Sequence, residues 1–224
     1  MTRKALILGA AIASTFSGAA MAVDGLSANA GIVSDYYFRG VQQTGSASAN
    51  GGVDYEHASG LSAGIWAADV GGHSDDDGTP GPDGIEIDVY ASYSGEAGDF
   101  GYSVGFTHYG YTGTFDTSYD EVNLGVSYGP VSVDFASGSN ENPGGVDPDY
   151  SFISVSYGAG PFSATYGSWG SDFAGAYLEA GLSTDIGGAD VGVSFVNGDP
   201  DDSAKNIVTD GTALVFSISK SFEL

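Results

Sequence analysis

Cysteine, positive charge and long hydrophobic runs are all scarce in this sequence of 224 residues. Because cysteine is absent, the chain has no disulfide, no thiolate nucleophile and no cysteine metal ligand. Beyond the N-terminal stretch, no segment offers the roughly 20 consecutive apolar residues that a membrane-spanning helix requires. The sequence therefore predicts a protein without thiol chemistry and without a transmembrane helix.

Basic residues number only five, against 29 acidic residues. Two of the five, Arg3 and Lys4, precede an apolar run over 5–13, and Ala20-Met21-Ala22 fits the small-x-small cleavage rule. This pattern predicts a secretory signal peptide at 1–22 and a mature domain at 23–224. The three basic residues left against 29 acids then give a mature net charge of −26, which disfavours nucleic acids and anionic ligands as partners.

Aromatic residues and period-two alternation are abundant, and together they predict an all-β fold. With 14 tyrosines and 12 phenylalanines, the chain has too many aromatic residues for an acidic disordered segment. Apolar residues alternate with polar ones from Leu26 onward, as in strands with one apolar face. Twelve strands are predicted at 26–38, 47–57, 61–69, 84–94, 100–109, 119–128, 131–136, 150–157, 162–168, 176–183, 191–196 and 207–222.

The connections between these strands alternate in length. Short turns alternate with longer, acidic, Gly- and Pro-rich loops, which is the pattern of an antiparallel outer-membrane β-barrel with periplasmic turns and extracellular loops. Aromatic residues on the apolar face fall into two groups, as the two membrane interfaces select. The group near short turns is Tyr55, Tyr93, Phe100, Tyr128, Tyr157 and Phe162, and the group near long loops is Phe38, Phe106, Phe135 and Phe195.

The C-terminal strand alternates from Thr212 to Leu224 and has an aromatic residue, Phe222, close to its end. It resembles the signal that the barrel-assembly machinery reads in outer-membrane proteins, although the final residue is leucine rather than the usual phenylalanine. The predicted partners are therefore this machinery, outer-membrane lipid and lipopolysaccharide, and small solutes. The predicted location is the cell outer membrane.

Polar faces of the predicted strands point into the lumen and carry mostly acids. This lining predicts a porin that favours small cationic or neutral solutes. Asp35 and Arg39, four apart on one predicted strand, lie on the same face about 13 Å apart. Arg39 either forms a constriction or braces a narrow barrel through salt bridges. The pore-lining candidates are Asp35, Arg39, Asp54, Glu56, Glu86, Asp88, Glu121, Asp134 and Glu179.

Three other classes compete with a porin. One, a soluble periplasmic lipocalin-like barrel, is disfavoured by the twelve strands and the outward apolar face. A non-conducting structural or adhesive barrel fits the acidic loops equally well. An enzyme would need a nucleophile and a base, and His57, His73 and His108 show no such arrangement in sequence. The acidic runs 75–77 and 199–202 lack the ligand spacing of a calcium loop. No catalytic residue, metal site or cofactor is therefore predicted.

A family resemblance is carried by the opening of the mature chain. Residues 34–44, Ser-Asp-Tyr-Tyr-Phe-Arg-Gly-Val-Gln-Gln-Thr, are similar to the "SDYxFRGxxQT" opening of the TorF-type family of proteobacterial porin-like proteins. Residues 52–57, 64–67, 86–90 and 95–102 continue the similarity, which becomes loose after Gly110. The resemblance implies an outer-membrane barrel and a porin-like activity, without catalytic residues.

Overall fold

Alternating apolar and polar side chains form fourteen strands in the computed structural model, which describes residues 25–72 and 81–224. Two short strands, β2 (Tyr37–Phe38) and β3 (Val41–Gln42), form a separate hairpin. The other twelve are β1 (Leu26–Val33), β4 (Ser48–Glu56), β5 (Leu61–Gly71), β6 (Asp83–Ala97), β7 (Phe100–Tyr111), β8 (Tyr119–Tyr128), β9 (Val131–Asn140), β10 (Asp149–Ala159), β11 (Phe162–Ser171), β12 (Ala176–Asp185), β13 (Asp190–Asp199) and β14 (Gly211–Glu223).

These twelve strands close into an antiparallel barrel, in which β14 pairs with β1. The twelve-strand, all-β prediction is thus confirmed. Short turns at 57–60, 98–99, 129–130, 160–161 and 186–189 occupy one rim. The longer connections at 34–47, 112–118, 141–148, 172–175 and 200–210 begin and end at the other rim. Among the residues described, none belongs to a helix long and apolar enough to cross a membrane.

The pleat of each strand places apolar side chains outside and polar side chains inside. On β8, Val122 and Leu124 face outward and are each 49% exposed, whereas Glu121, next to Val122, faces inward and is 1% exposed. Every barrel strand carries at least one exposed large apolar side chain on its outer face, from Ile32 on β1 to Phe216 on β14. The barrel therefore has a continuous apolar outer belt and a polar interior.

Most strand boundaries differ from the sequence prediction by one to four residues, and two strands are clearly shorter than predicted. The first strand ends at Val33 rather than at residue 38, and the last begins at Gly211 rather than at residue 207. Both missing pieces fold into the barrel: Val208 is 3% exposed and belongs to a buried cluster with Phe152. The sequence alternation did not show that these residues leave the barrel wall, because the alternation continues past the point where strand pairing stops.

The shortened first strand corrects two further predictions. The Phe38 ring does not lie on the outer surface but packs inside, with its centroid 5.6 Å from that of Tyr109. Asp35 and Arg39 do not share a strand face, since both follow the end of β1. The proposed signal peptide at 1–22, His73 and the acidic run 75–77 lie outside the described residues.

Candidate functional site

Residues 34–47, here called the inner segment, fold into the lumen instead of over the rim. The β2–β3 hairpin forms the centre of this segment, and Arg39 and Gly40 are its two turn residues, with φ values of 50° and 81°. Two consecutive positive φ values are typical of a type I′ turn, which matches the twist of a tight hairpin. Arg39 is a costly residue in this left-handed conformation, so surrounding contacts must hold it there.

The strongest of these contacts is an ion pair between Arg39 and Glu121. The Arg39 Nη1 and Nη2 groups donate to the two Glu121 carboxylate oxygens at 2.6 and 2.9 Å. Glu121 also accepts hydrogen bonds from the hydroxyls of Tyr109 at 3.2 Å and Tyr150 at 3.0 Å. Arg39 is 8% exposed and Glu121 1% exposed, so this is a buried, bidentate pair with its oxygens fully satisfied.

Aromatic rings enclose the same guanidinium. The Arg39 Cζ atom lies 4.7 Å from the ring centroid of Phe38, 4.5 Å from that of Phe152 and 5.6 Å from that of Trp169. The Trp169 indole N–H also donates to the Arg39 carbonyl oxygen at 3.0 Å. Ring faces stabilise a desolvated cation, so these contacts lower the cost of burying Arg39. Sequence analysis did not identify Phe152 and Trp169 as partners of this residue.

Further contacts fix the inner segment to separate parts of the barrel wall. The Tyr36 hydroxyl donates to Glu86 on β6 at 3.2 Å, and the Gly71 N–H at the end of β5 donates to the Gln43 carbonyl at 2.8 Å. Near the start of β14, the Thr209 N–H donates to the Gly40 carbonyl at 3.0 Å. Because its contacts reach separate parts of the wall, the segment crosses the lumen near the long-loop rim and narrows it at that level.

Two buried acids, Glu86 and Asp88, lie beside the inner segment on the same face of β6. They are 1% and 4% exposed. Within the described residues, Glu86 Oε2, Asp88 Oδ1 and the neighbouring Trp66 indole N–H have no hydrogen-bond partner. Burial raises the pKa of the Tyr36 hydroxyl, and the nearby Glu86 and Asp88 raise it further. Tyr36 therefore remains a neutral donor to Glu86 at all ordinary pH values.

The remaining candidates lie at different depths. Asp54 accepts hydrogen bonds from the Asn29 amide at 3.2 Å and from the Tyr90 hydroxyl. Asp35 is half-buried at the start of the inner segment, and Glu56 is exposed at the last position of β4. The structure thus places Arg39 and Glu121 in direct contact and Glu86 and Asp88 beside each other, but it separates Asp35 and Glu56 from both groups.

Asp134 and Glu179 line a cavity of about 220 Å³ beneath Arg39. Its other lining groups are hydroxyls, an amide and aromatic rings, contributed by Asn123, Phe152, Ser154, Ser156, Ser163, Thr165 and Tyr177. The lower end of the cavity approaches the short turn at 160–161, because Ser156 and Ser163 flank the strand ends there. Sequence analysis identified the two acids but not the hydroxyl groups that accompany them.

The described histidines lie outside the lumen cavity. The His57 ring nitrogen contacts the Ser59 hydroxyl at 2.8 Å near a short turn, and His108 pairs with Asp120 at 2.8 Å on the outer surface. No serine hydroxyl is hydrogen-bonded to His108 in the part of the chain that the structure describes. Over residues 25–72 and 81–224, no three His, Asp or Glu side chains converge in a way that could hold a metal ion.

Comparison with solved structures shows the same architecture in membrane proteins. One similar structure is a protein from work on in-meso crystallisation of membrane proteins, with a TM-score of 0.52 and 9% sequence identity. The alignment covers 88% of this chain and 84% of that protein. Outer membrane phospholipase A from Escherichia coli is similar with a TM-score of 0.50 and 11% sequence identity. The alignment covers 91% of this chain and 98% of the phospholipase. An anion-selective porin from Comamonas acidovorans, at 12% identity, covers 88% of this chain and 98% of its own, with a TM-score of 0.32.

The first two likenesses establish the barrel fold and no activity, since the identities are low. No curated relative matches the sequence. A family model, described as a bacterial protein of unknown function, matches residues 18–222 and thus nearly the whole chain. The protein is therefore a member of the Gcw_chp family of bacterial proteins.

Proposed function

We propose that this protein is a non-enzymatic outer-membrane porin for small cationic or neutral solutes, and that its lumen is closed by the inner segment in this structure. The observation that carries the proposal is the inward-facing lining: Asp54, Glu86, Asp88, Glu121, Asp134 and Glu179, with Arg39 as its one basic side chain among the described residues. An acidic lining attracts cations and repels anions through its local field. The resemblance to the TorF-type family supports the same proposal.

The apolar outer belt supports the outer-membrane location. A charge at the middle of this belt would face lipid, and such a change costs about 2–4 kcal/mol in a membrane barrel. Leu124→Arg, near the middle of β8, is expected to lower the free energy of unfolding by about that amount. The measurement is urea unfolding of the protein folded into lipid vesicles.

Val146→Arg is the matched control, because Val146 lies in a loop and is 89% exposed. It places the same charge in water and is expected to change the unfolding free energy by less than about 0.5 kcal/mol. Equal effects of the two substitutions would contradict the membrane location of the belt.

Export by the secretory pathway, and recognition by the barrel-assembly machinery, are further parts of the proposal. The outer face of β14 supports the second part, since Leu214, Phe216, Ile218 and Phe222 are all exposed along it. β14 also closes the barrel against β1. Before the barrel closes, these outward apolar residues are available to the assembly machinery, and after closure they contact lipid.

Planar-bilayer conductance tests the proposed function directly. The wild-type protein is expected to show rare openings with cation preference in a salt gradient, because the inner segment must move before ions pass. Arg39→Ala removes the guanidinium that fixes the segment and is expected to make openings frequent. Folding of both proteins is checked by heat-modifiable gel mobility.

A non-conducting structural or adhesive barrel is the second candidate, and the buried Arg39–Glu121 pair favours it. A bidentate pair with such complete hydrogen bonding can serve as a permanent brace. Folded Arg39→Ala protein that never conducts would contradict the porin proposal and leave the structural barrel. Anion preference in an open state would contradict the role given to the acidic lining.

A further inference from the structure

The cavity beneath Arg39 has the chemistry of a binding site rather than of a packing defect. Apolar atoms form the larger part of its wall, but five hydroxyl side chains, one amide and two carboxylates also line it, whereas packing defects in proteins are wholly apolar. Ser154, which is 8% exposed, contributes its hydroxyl to the cavity wall. A hydroxyl in this position can donate to, or accept from, a polar group held in the cavity.

The charge of the lining selects the sign of the ligand. Arg39 is the basic residue in the lining, and its two terminal nitrogens are already paired with Glu121. Asp134 accepts one hydrogen bond, from Ser132 at 3.2 Å, and no basic side chain described in the structure forms an ion pair with Asp134 or Glu179. The cavity therefore carries about two uncompensated negative charges, which favour a cation.

The separation of the two acids selects the shape of the ligand. Asp134 lies on β9 and Glu179 on β12, three strands away, which is roughly 14 Å along the wall at about 4.8 Å per strand. A single metal ion binds carboxylate oxygens at about 2.3–2.6 Å and cannot bridge this gap. A neutral polyol would leave both carboxylates without an opposite charge.

Apolar surface lies between the two acids. The Phe152 and Tyr177 rings cover Gly167 on the intervening strand β11, with their centroids 6.2 Å apart and their planes within 16° of each other. Such a surface suits methylene groups, while the carboxylates at either side suit ammonium groups. We propose that the cavity binds a small α,ω-diamine, with one ammonium group at Asp134 and the other at Glu179.

This proposal rests on the proposed function in one respect, the preference of the acidic lumen for cations. It is tested by isothermal titration of the refolded protein in detergent, which does not require an open channel. The probe is 1,4-diaminobutane, and the comparators are butylamine, with one ammonium group, and 1,4-butanediol, with none. Saturable binding of the diamine, at least tenfold weaker binding of butylamine and no binding of the diol are expected.

Asp134→Asn and Glu179→Gln keep the side-chain shape and remove one charge each. Each is expected to weaken diamine binding at least tenfold, because one charge-assisted hydrogen bond is lost. Asp99→Asn is the control, since it removes one charge from an exposed turn outside the lumen. It is expected to leave the affinity within twofold of that of the wild type.

The absence of saturable diamine binding would overturn the site. Binding that survives both cavity substitutions, or that falls equally with Asp99→Asn, would also overturn it, because attraction would then be a general effect of net charge. Diamine binding in a protein that never conducts overturns only the porin proposal. Cation-preferring conductance without diamine binding overturns only the diamine site.

Discussion

Replacing Glu121 with alanine will release the inner segment and open the lumen. The substitution leaves the Arg39 guanidinium buried without its carboxylate, and removal of one partner from a buried pair costs about 3–5 kcal/mol. The fraction of molecules with the segment displaced should therefore rise roughly a hundredfold or more. Trypsin measures this displacement, because Arg39 is the one basic residue in the segment.

Wild-type Arg39 is expected to resist trypsin, whereas Lys205, 53% exposed in an outer loop, marks normal cleavage in both proteins. Glu96→Ala is the matched control, since it removes an exposed glutamate at the short-turn rim. Bilayer conductance should rise in parallel with cleavage at Arg39. A Glu121→Ala protein that stays protected at Arg39 would show that the other contacts alone hold the segment.

Gly40→Ala is expected to displace the same hairpin while every charge is kept. The residue has a φ of 81°, and a Cβ atom there would lie 2.6 Å from the Tyr177 Cβ and 2.8 Å from its Cγ. The left-handed conformation costs a non-glycine residue about 1–3 kcal/mol, and the contact with Tyr177 adds to this cost. Conductance should rise, and cation preference should equal that of rare wild-type openings because the lining is unchanged.

Gly98→Ala separates the effect of backbone strain from the effect of the clash with Tyr177. Gly98 also has a positive φ, 66°, but a Cβ atom there would meet nothing within 4 Å. This control therefore introduces similar backbone strain without a clash and at a distance from the lumen. It should lower the free energy of unfolding slightly and leave conductance unchanged. Equal conductance in the wild type and Gly40→Ala would contradict the gating role of the hairpin.

The barrel could be predicted from sequence because its signal is local. Period-two alternation and the alternating lengths of turns and loops are both readable within windows of about ten residues, and they gave the correct strand number. The boundaries failed at residues 34–38, where alternation continues although the chain has left the sheet. The one local sign of the departure is Arg39-Gly40, since a glycine in the second position suits a tight hairpin turn.

The contacts of the inner segment could not be predicted, because they join distant residues. Arg39 meets Glu121 82 positions later and Trp169 130 positions later. Acidic and aromatic residues are both common on inward strand faces, so nothing in the sequence selects Glu121 and Trp169 as the partners of Arg39. The Ser154 hydroxyl was missed for a similar reason, since serine alternating with apolar residues is ordinary in a barrel strand.

The span of these contacts also bears on when the inner segment docks during folding. The Gln42 backbone N–H donates a hydrogen bond to a side chain 167 residues away, the hydroxyl of Thr209, which lies just before β14. Loops of this length close slowly, and the neighbouring hairpins of the wall form first. Because the β1–β14 pairing joins residues still farther apart, we expect the inner segment to dock only as the barrel closes.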